Sequence, residues 1–394
     1  MRSLFFLVVA FAGYALAQSP LVALAYEHNF ELKTLKAEEA ALEEAVGLSK
    51  IWDNPTLSVG VMDIFLDKPL TRDQGMQNES IALTQTIPTG SKRTLQGTLA
   101  RADVTQKQLE IHDKKLQLSQ QIGLLEQALW RVEADMNAVE GILDALHASQ
   151  EAHLAYTPTS SHLSPTHTTT IFQKTLLLQK RTLEQERASL KRELASLVNA
   201  PLPTLTHRGG VLPYPYENEH TLLAQNPRLQ QAHLQSVQRK TTLFLEEAMK
   251  TPDLMLKLGY NRRDGREDYA FVEMGITLPL YGKETLRARK AALEHTASEH
   301  AASALHERLR FALEDALLSK ALQSEKIALA EAIIHETKAL HELYEHTAFS
   351  QTESLLRLYE TLTRRLEAQL GLNQATYAYN ASVLTIAYLL GASL

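Results

Sequence analysis

The sequence predicts a mainly α fold with a transmembrane β-barrel contribution: long antiparallel helices that form an α-barrel, plus four strands per protomer. Three observations predict it. One order of elements occurs twice along the 394 residues, all thirteen prolines fall at boundaries of those elements, and four strands are too few to close a barrel within one chain.

The N-terminus comes first. Arg2 is followed by an apolar run from Leu4 to about Tyr14 and by the small-x-small site Ala15-Leu16-Ala17, which together read as an export signal over residues 1–17 with cleavage expected after Ala17. About a dozen apolar residues is too short for a retained membrane helix. No other segment reads as a transmembrane helix.

The first repeat occupies residues 18–200. A helical run from Leu21 to Ile51 ends at Trp52-Asp-Asn-Pro55, and Thr56-Leu-Ser-Val-Gly-Val-Met then alternates like a strand. A polar loop around Asp67 to Gly75 leads into Ser80-Ile-Ala-Leu-Thr-Gln-Thr-Ile-Pro88-Thr-Gly90-Ser-Lys92, closing a hairpin over 55–88. Lys92 to Tyr156 is free of proline, a tip turn follows at 157–167, and a helix from Thr168 to Asn199 completes the repeat.

After a proline-rich linker at 201–220, the second repeat fills 221–394 in the same order. Its helix runs from Thr221 to Met249, with Asn226 as N-cap and Pro227 at the first position of the periodic stretch. Its hairpin spans 252–279 around the turn signal Arg263-Asp-Gly265-Arg and leaves through Pro279-Leu-Tyr-Gly282-Lys283. A proline-free stretch from Glu284 to Thr347, a tip turn at 347–351 and a helix from Thr352 to Leu390 follow.

Proline placement supports these boundaries, since a proline inside a helix costs about 3 kcal/mol. Each long stretch is roughly 95 Å as continuous helix at about 1.5 Å per residue. The two shorter helices of each half, laid end to end, match that length. Steps such as Leu305, Leu309, Ala312 and Ala316 are heptad-like, and on their own would suit an ordinary coiled-coil rod.

The strands decide against a plain rod. Leu57, Val59 and Val61, then Leu254, Leu256, Leu258 and Tyr260, then Val272, Met274, Ile276 and Leu278 alternate with Ser58, Gly60, Lys257, Gly275 and Thr277, while Gln85 interrupts the second strand. Tyr260, Tyr269 and Phe65 suit an interfacial aromatic girdle or plain packing. An open sheet edge is not tolerated in lipid, so closure requires further copies.

Enzyme chemistry is missing. No cysteine is present, which excludes disulfides, thiolate metal sites, a thiol nucleophile and a lipid anchor on an N-terminal cysteine. A formal charge of −6 and 6% aromatic residues give no footprint for nucleic acid. His341-Glu342-x3-His346 resembles a zinc-protease motif, but its histidines stand five residues apart and point about 140° away from each other on a helix. Neither a catalytic residue, a metal site nor a cofactor is expected. His147, His153, His162, His167, His335, His341 and His346 gather near the predicted tip turns, where solvated helix faces, weak binding of metal ions or sensing of pH would each explain them.

Over nearly the whole mature chain, these features resemble the TolC family of outer membrane efflux proteins. The resemblance rests on Asn226-Pro227-x-Leu229, on Asn54-Pro55-x-Leu57 and Pro252-x-Leu254, on the strand exits Pro88-x-Gly90-x-Lys92 and Pro279-x-x-Gly282-Lys283, and on Tyr379-Asn380-x-x-x-Leu384 running to Leu390-Gly391. The pattern is most similar to the metal and drug efflux branch that includes CusC and CzcC. The resemblance implies a homotrimer in outer membrane lipid with a periplasmic helical domain. It also implies docking on a periplasmic adaptor (membrane fusion) protein and an inner-membrane pump of the RND type, the chain acting as a passive conduit for small molecules or metal ions. It places the adaptor-docking tip at Leu163, Ser164, Phe349 and Ser350, and a pore constriction at Glu353. The first turn is longer and richer in proline than the family pattern, and Ser354 and Arg357 stand where the family often carries aspartates. A type I protein-secretion duct of the same architecture and a periplasmic coiled-coil structural protein are the alternative readings.

Overall fold

The first helix boundary is written in a cap. Ser19 precedes α1 (Pro20–His28), accepting a hydrogen bond from the Leu21 amide at 3.3 Å, and Pro20 takes the first helical position, where its missing N–H costs nothing. The computed structural model describes residues 19–64, 77–156, 163–203, 209–347 and 352–392, with side chains described outside 149–168 and 345–356. Two compact units are present, each assembled from both halves of the sequence: one from residues up to 33 with 112–227 and 307–394, the other from 34–111 with 228–306.

The elements follow the duplicated order. In the first half come α1, α2 (Phe30–Leu48), β1 (Thr56–Met62), β2 (Asn78–Ile87), α3 (Lys92–Tyr156) and α4 (Leu163–Val198). A short α5 (Glu219–Leu222) and a 3-10 turn (Leu223–Gln225) open the second half. It continues with α6 (Pro227–Ala248), β3 (Leu254–Arg262), β4 (Tyr269–Ile276), α7 (Lys283–Thr347) and α8 (Thr352–Leu389). Helices α3 and α7 have 65 residues each. Helix α4 begins at Leu163, ahead of Thr168, so Pro165 sits in its first turn, where amide groups have no intrahelical acceptor to lose.

The run expected to be one helix from Leu21 to Ile51 is broken at Asn29, whose backbone is extended. Asn29 then caps α2 by accepting from the Leu32 amide at 3.1 Å, while its side-chain amide donates to the Leu197 carbonyl at 3.2 Å. Its counterpart Asn226 donates to the Leu389 carbonyl at 2.9 Å. In both halves the accepting carbonyl lies two residues before a left-handed residue that ends a helix, Asn199 (φ 53°) or Gly391 (φ 71°). A side chain at Gly391 would also strike the Gln225 carbonyl, 2.7 Å from the added carbon.

In the first unit, α3 buries Val132, Met136, Val139, Leu143 and Leu146, steps of four and three residues that form a coiled-coil seam. Leu176 and Leu183 of α4 and Leu358, Leu362 and Leu366 of α8 fill the same core. A second core joins Leu21, Val22 and Ala25 of α1 to Ile122 and Leu129 of α3 and to Leu194 and Val198 of α4. The linker is fastened to this unit through Asn380 of α8. That side chain accepts from the Leu212 amide at 2.8 Å and donates to Gln127 at 2.7 Å and to the Gly210 carbonyl at 2.9 Å.

In the second unit the strands form one antiparallel sheet in the order β1-β2-β3-β4. The registers include Leu57↔Leu83, Leu83↔Leu258 and Leu258↔Val272, so one row crosses all four strands with apolar residues on one face. Phe271 lies over Gly259, where an added side-chain carbon would come within 2.3 Å of the ring; the glycine admits the aromatic.

Candidate functional site

The candidate site has two parts, the sheet of the second unit and the open helix faces of the first. Alternation of period two puts Leu57, Val59, Val61, Ile81, Leu83, Leu258, Tyr260, Val272, Met274 and Ile276 on one face. That face is open to the surroundings: Val59 is 77% exposed, Met274 67%. On the opposite face stand Ser58, Gly60, Ser80, Thr84, Thr86, Lys257 and Glu273, with Lys257 and Glu273 paired at 3.4 Å across β3 and β4. An apolar face without a covering layer and a polar face beneath it match a barrel wall, with lipid outside and water inside. Gln85, the residue that breaks the alternation, turns its amide to the carbonyls of Asp53 and Thr86 at 3.0 and 2.9 Å.

At the hairpin end, the Tyr260 hydroxyl donates to Asp268, the Arg263 amide donates to Asp268 at 2.9 Å, and the Arg263 guanidinium stacks 4.8 Å from the Tyr269 ring centre. Tyr260 and Tyr269 thus sit at one rim of the sheet. Phe65, grouped with them in the sequence, lies outside the described residues.

At the other rim a seam joins the two halves. Lys92, almost fully buried, donates to the Asp253 carboxylate and to the Thr251 carbonyl at 2.6 Å each, and the Thr89 amide donates to Asp253 at 3.0 Å. The strand exit of the first hairpin is thereby tied to the strand start of the second. Sequence reading passed over this tie, although the pairing of Pro88-x-Gly90-x-Lys92 with Pro252-Asp253 was the signal that could have found it.

A second open surface lies on α7. Phe311, Leu318, Leu322, Leu329, Ile333 and Leu340 are all exposed and follow steps of seven and four. An eleven-residue period returns to nearly the same angle on an α-helix, so these side chains form a nearly straight apolar stripe. Ala302, Leu309, Leu313 and Ala316 point the other way and are buried. Beside the stripe, an open groove of about 820 Å³ runs between α7 and α8, floored by Leu329, Ile333, Ala368 and Ala375 and rimmed by Lys326 and Arg364.

Ionised groups inside the first unit hold α3 to its neighbours. Asp135, 4% exposed, accepts from Asn373 of α8 at 2.8 Å and from Arg131 at 3.1 Å; Arg131 also pairs with Glu186 of α4. Burial pushes the Asp135 carboxyl above the usual carboxylate range, the Asn373 hydrogen bond and the Arg131 charge only partly offsetting it.

Of the residues singled out in the sequence, Leu163 and Ser164 open α4, and Glu353 lies in the first turn of α8. The side chains of these three lie outside the described residues, as do Phe349 and Ser350 altogether. His153, His162, His167 and His346 also fall among residues whose side chains are not described. Among the described residues no group of three or more histidine, aspartate or glutamate side chains could hold a metal ion, and no helix is long and apolar enough to cross a membrane.

No family model matches the chain, and no match was found among curated proteins. Solved structures do match. The open state of the MtrE outer membrane channel of Neisseria gonorrhoeae superposes with a TM-score of 0.80 at 14% identity, over 95% of this chain and 88% of that one. The outer membrane protein VceC of Vibrio cholerae gives 0.78 at 15% identity, covering 95% of each chain. CusC, described for conformational changes accompanying folding and transmembrane channel formation, gives 0.78 at 12% identity over 94% and 91%. The fold of this chain is that of the TolC-family outer membrane channels.

Proposed function

We propose that the chain is the outer membrane channel subunit of a tripartite efflux system. In this reading three copies close one barrel through their sheets, and their helices continue it into the periplasm as a passive duct for small molecules or metal ions. The observation that carries the reading is a four-stranded sheet with an open apolar face and two unpaired edges, built on helices of 65 residues. Four strands with free edges cannot lie in lipid alone, so several copies must share the wall.

No step in the duct breaks or forms a covalent bond. A static barrel crosses the membrane, an inner-membrane pump supplies the energy, and the helical tip docks on a periplasmic adaptor. We place that dock at Leu163, Ser164, Phe349 and Ser350 and the narrowest ring at Glu353, with a pump of the RND type. Three carboxylates facing one another would repel unless the ring is held by its neighbours, so Glu353→Lys is expected to alter conductance and its ion preference.

The deciding experiment is fractionation of the exported protein followed by reconstitution in a planar bilayer. Outer membrane partition, heat-modifiable migration and stable conductance steps are expected. A monomer that stays in aqueous buffer without detergent would overturn the assignment.

A further inference from the structure

The chain carries a template for the joint it makes with its next copy. Helices α3 and α7 both begin with a lysine four residues after the proline that ends a strand, Pro88 to Lys92 and Pro279 to Lys283. Strands β1 and β3 both begin just after a proline, Pro55 and Pro252. Aligning these prolines equates β4 with β2 and β1 with β3. It also preserves the side-chain faces, since Met274 falls on Leu83 and Val59 on Leu256, all on the apolar side.

Within the chain, β2 meets β3 in the register Ile87↔Leu254, Gln85↔Leu256 and Leu83↔Leu258. β1 and β4 are the free edges of the sheet. Building on the ring reading above, we infer that β4 of one copy pairs antiparallel with β1 of the next in the same relative register, Leu278↔Leu57, Ile276↔Val59 and Met274↔Val61. Each of these pairs sets two exposed apolar side chains opposite each other and keeps Thr277, Gly275 and Glu273 with Ser58, Gly60 and Met62 on the polar side. A slip by one residue would put Ile276 across from a polar-side position and bury nothing useful.

The same alignment assigns a role to Lys283. It is exposed and forms no ion pair among the described residues, whereas its counterpart Lys92 is buried against Asp253 and the Thr251 carbonyl. The positions equivalent to Thr251 and Asp253 are Asn54 and Thr56. Lys283 therefore meets the Asn54 carbonyl and the Thr56 hydroxyl of the next copy, and the joint between copies lacks the carboxylate that fastens the joint within a copy.

Because the protein has no cysteine, disulfide trapping reads the register directly. Directly opposed residues bring their Cβ atoms to about 4.5–5.5 Å, against about 7–8 Å for a diagonal pair, and a disulfide needs close opposition. The full-length double variant Val59→Cys/Ile276→Cys, oxidised after assembly, is expected to give covalent dimers and trimers on denaturing gels. Val61→Cys/Ile276→Cys, shifted by two residues on the same face, is expected to give at least several-fold less. Ser58→Cys/Thr277→Cys tests the same register from the polar side. Cross-linking of the shifted pair in preference to the matched pairs, or none from any pair in a protein of trimer mass, would overturn the register while leaving the channel reading intact. A protein of monomer mass throughout would remove both. As a second readout, Thr56→Asp is expected to raise the temperature at which the trimer dissociates in detergent, and Lys283→Ala to cancel that rise. An unchanged dissociation temperature counts against the Lys283 contact.

Discussion

Helices α3 and α7 occupy the same place in the two halves and have equal length, but their apolar residues have different fates. On α3 the side chains of Ile122, Leu129, Val132, Val139 and Leu146 are fully buried against α1, α4 and α8. On α7 only one side of the helix is covered, and Phe311, Leu318, Leu322, Leu329 and Ile333 stand exposed. A duplicated sequence has been divided into one rod whose apolar side chains the chain itself covers and one whose second apolar face the chain leaves open. Exposed apolar side chains of α4, Ile171 and Leu178 among them, offer a second patch, as the proposed ring would require, since head-to-tail contacts use two different patches per copy.

The largest effect should come from breaking the open stripe. If the proposed ring covers the stripe, Leu318→Glu with Leu329→Glu removes about 1.5–3 kcal/mol of burial per leucine and adds charges at each joint. The expected outcome is loss of the trimer with helix content unchanged, measured by mass in detergent and by far-ultraviolet circular dichroism. A variant that remains trimeric would show that the stripe faces water in the assembly. On α3 the contrast reverses: Leu129→Ala should cost about 2–5 kcal/mol of folding stability by opening a cavity. It should lower the unfolding midpoint of the subunit itself, and an unchanged midpoint would mean that the core it shares with α1 and α4 relaxes around the loss.

The same two rods show what the sequence could and could not reveal. Both were legible as proline-free stretches, and the strands as alternation between prolines, because backbone chemistry forbids proline inside either element. The break at Asn29 showed only indirectly, in the alignment of Asn29 with Asn226 between the two halves, and one helix was expected across it. Asn226 announces itself by the proline after it, whereas Asn29 is followed by Phe30, and only the carbonyl of Leu197, far off in sequence, shows why an asparagine stands there. Leu305, Leu309 and Ala316 were legible as heptad steps on the covered side of α7, but the eleven-residue stripe on its other side was not. Apolar residues on two sides of a helix blur any single period, and which side the chain itself covers is decided by tertiary packing.

The two asparagines sharpen the comparison between halves at the next level of effect. Asn226→Ala removes an N-cap and leaves the Leu389 carbonyl without its side-chain donor, and should cost about 1–2 kcal/mol. Asn29→Ala should cost a similar amount through Leu197 and the Leu32 amide. Equal losses in denaturant unfolding are expected if the duplication preserved the energetics of the joint. A cost confined to Asn226 would make Pro227, rather than the asparagine, the feature that ends the preceding turn.

The smallest effect is a pH dependence confined to α3. Aligned on their first residues, Asp135 of α3 corresponds to Lys326 of α7, which is exposed at the rim of the open groove, so only α3 encloses an ionisable group at this level. Burial raises the Asp135 carboxyl above its ordinary value, and the folded protein therefore holds a proton there that the unfolded chain releases. Folding then takes up a proton between the unfolded carboxylate value of about 3.9 and the raised folded one. Stability from this residue falls as pH rises through that window and is recovered on acidification. Asp135→Asn removes the titration while keeping an acceptor for Asn373, and Arg131 retains Glu186. Its stability relative to the parent should be greatest near neutral pH and decline as the pH is lowered, measured by urea midpoints at several pH values. The opposite trend would mean that the Arg131 charge, and not burial, governs Asp135, making the pair a net tie between α3 and α4 at neutral pH.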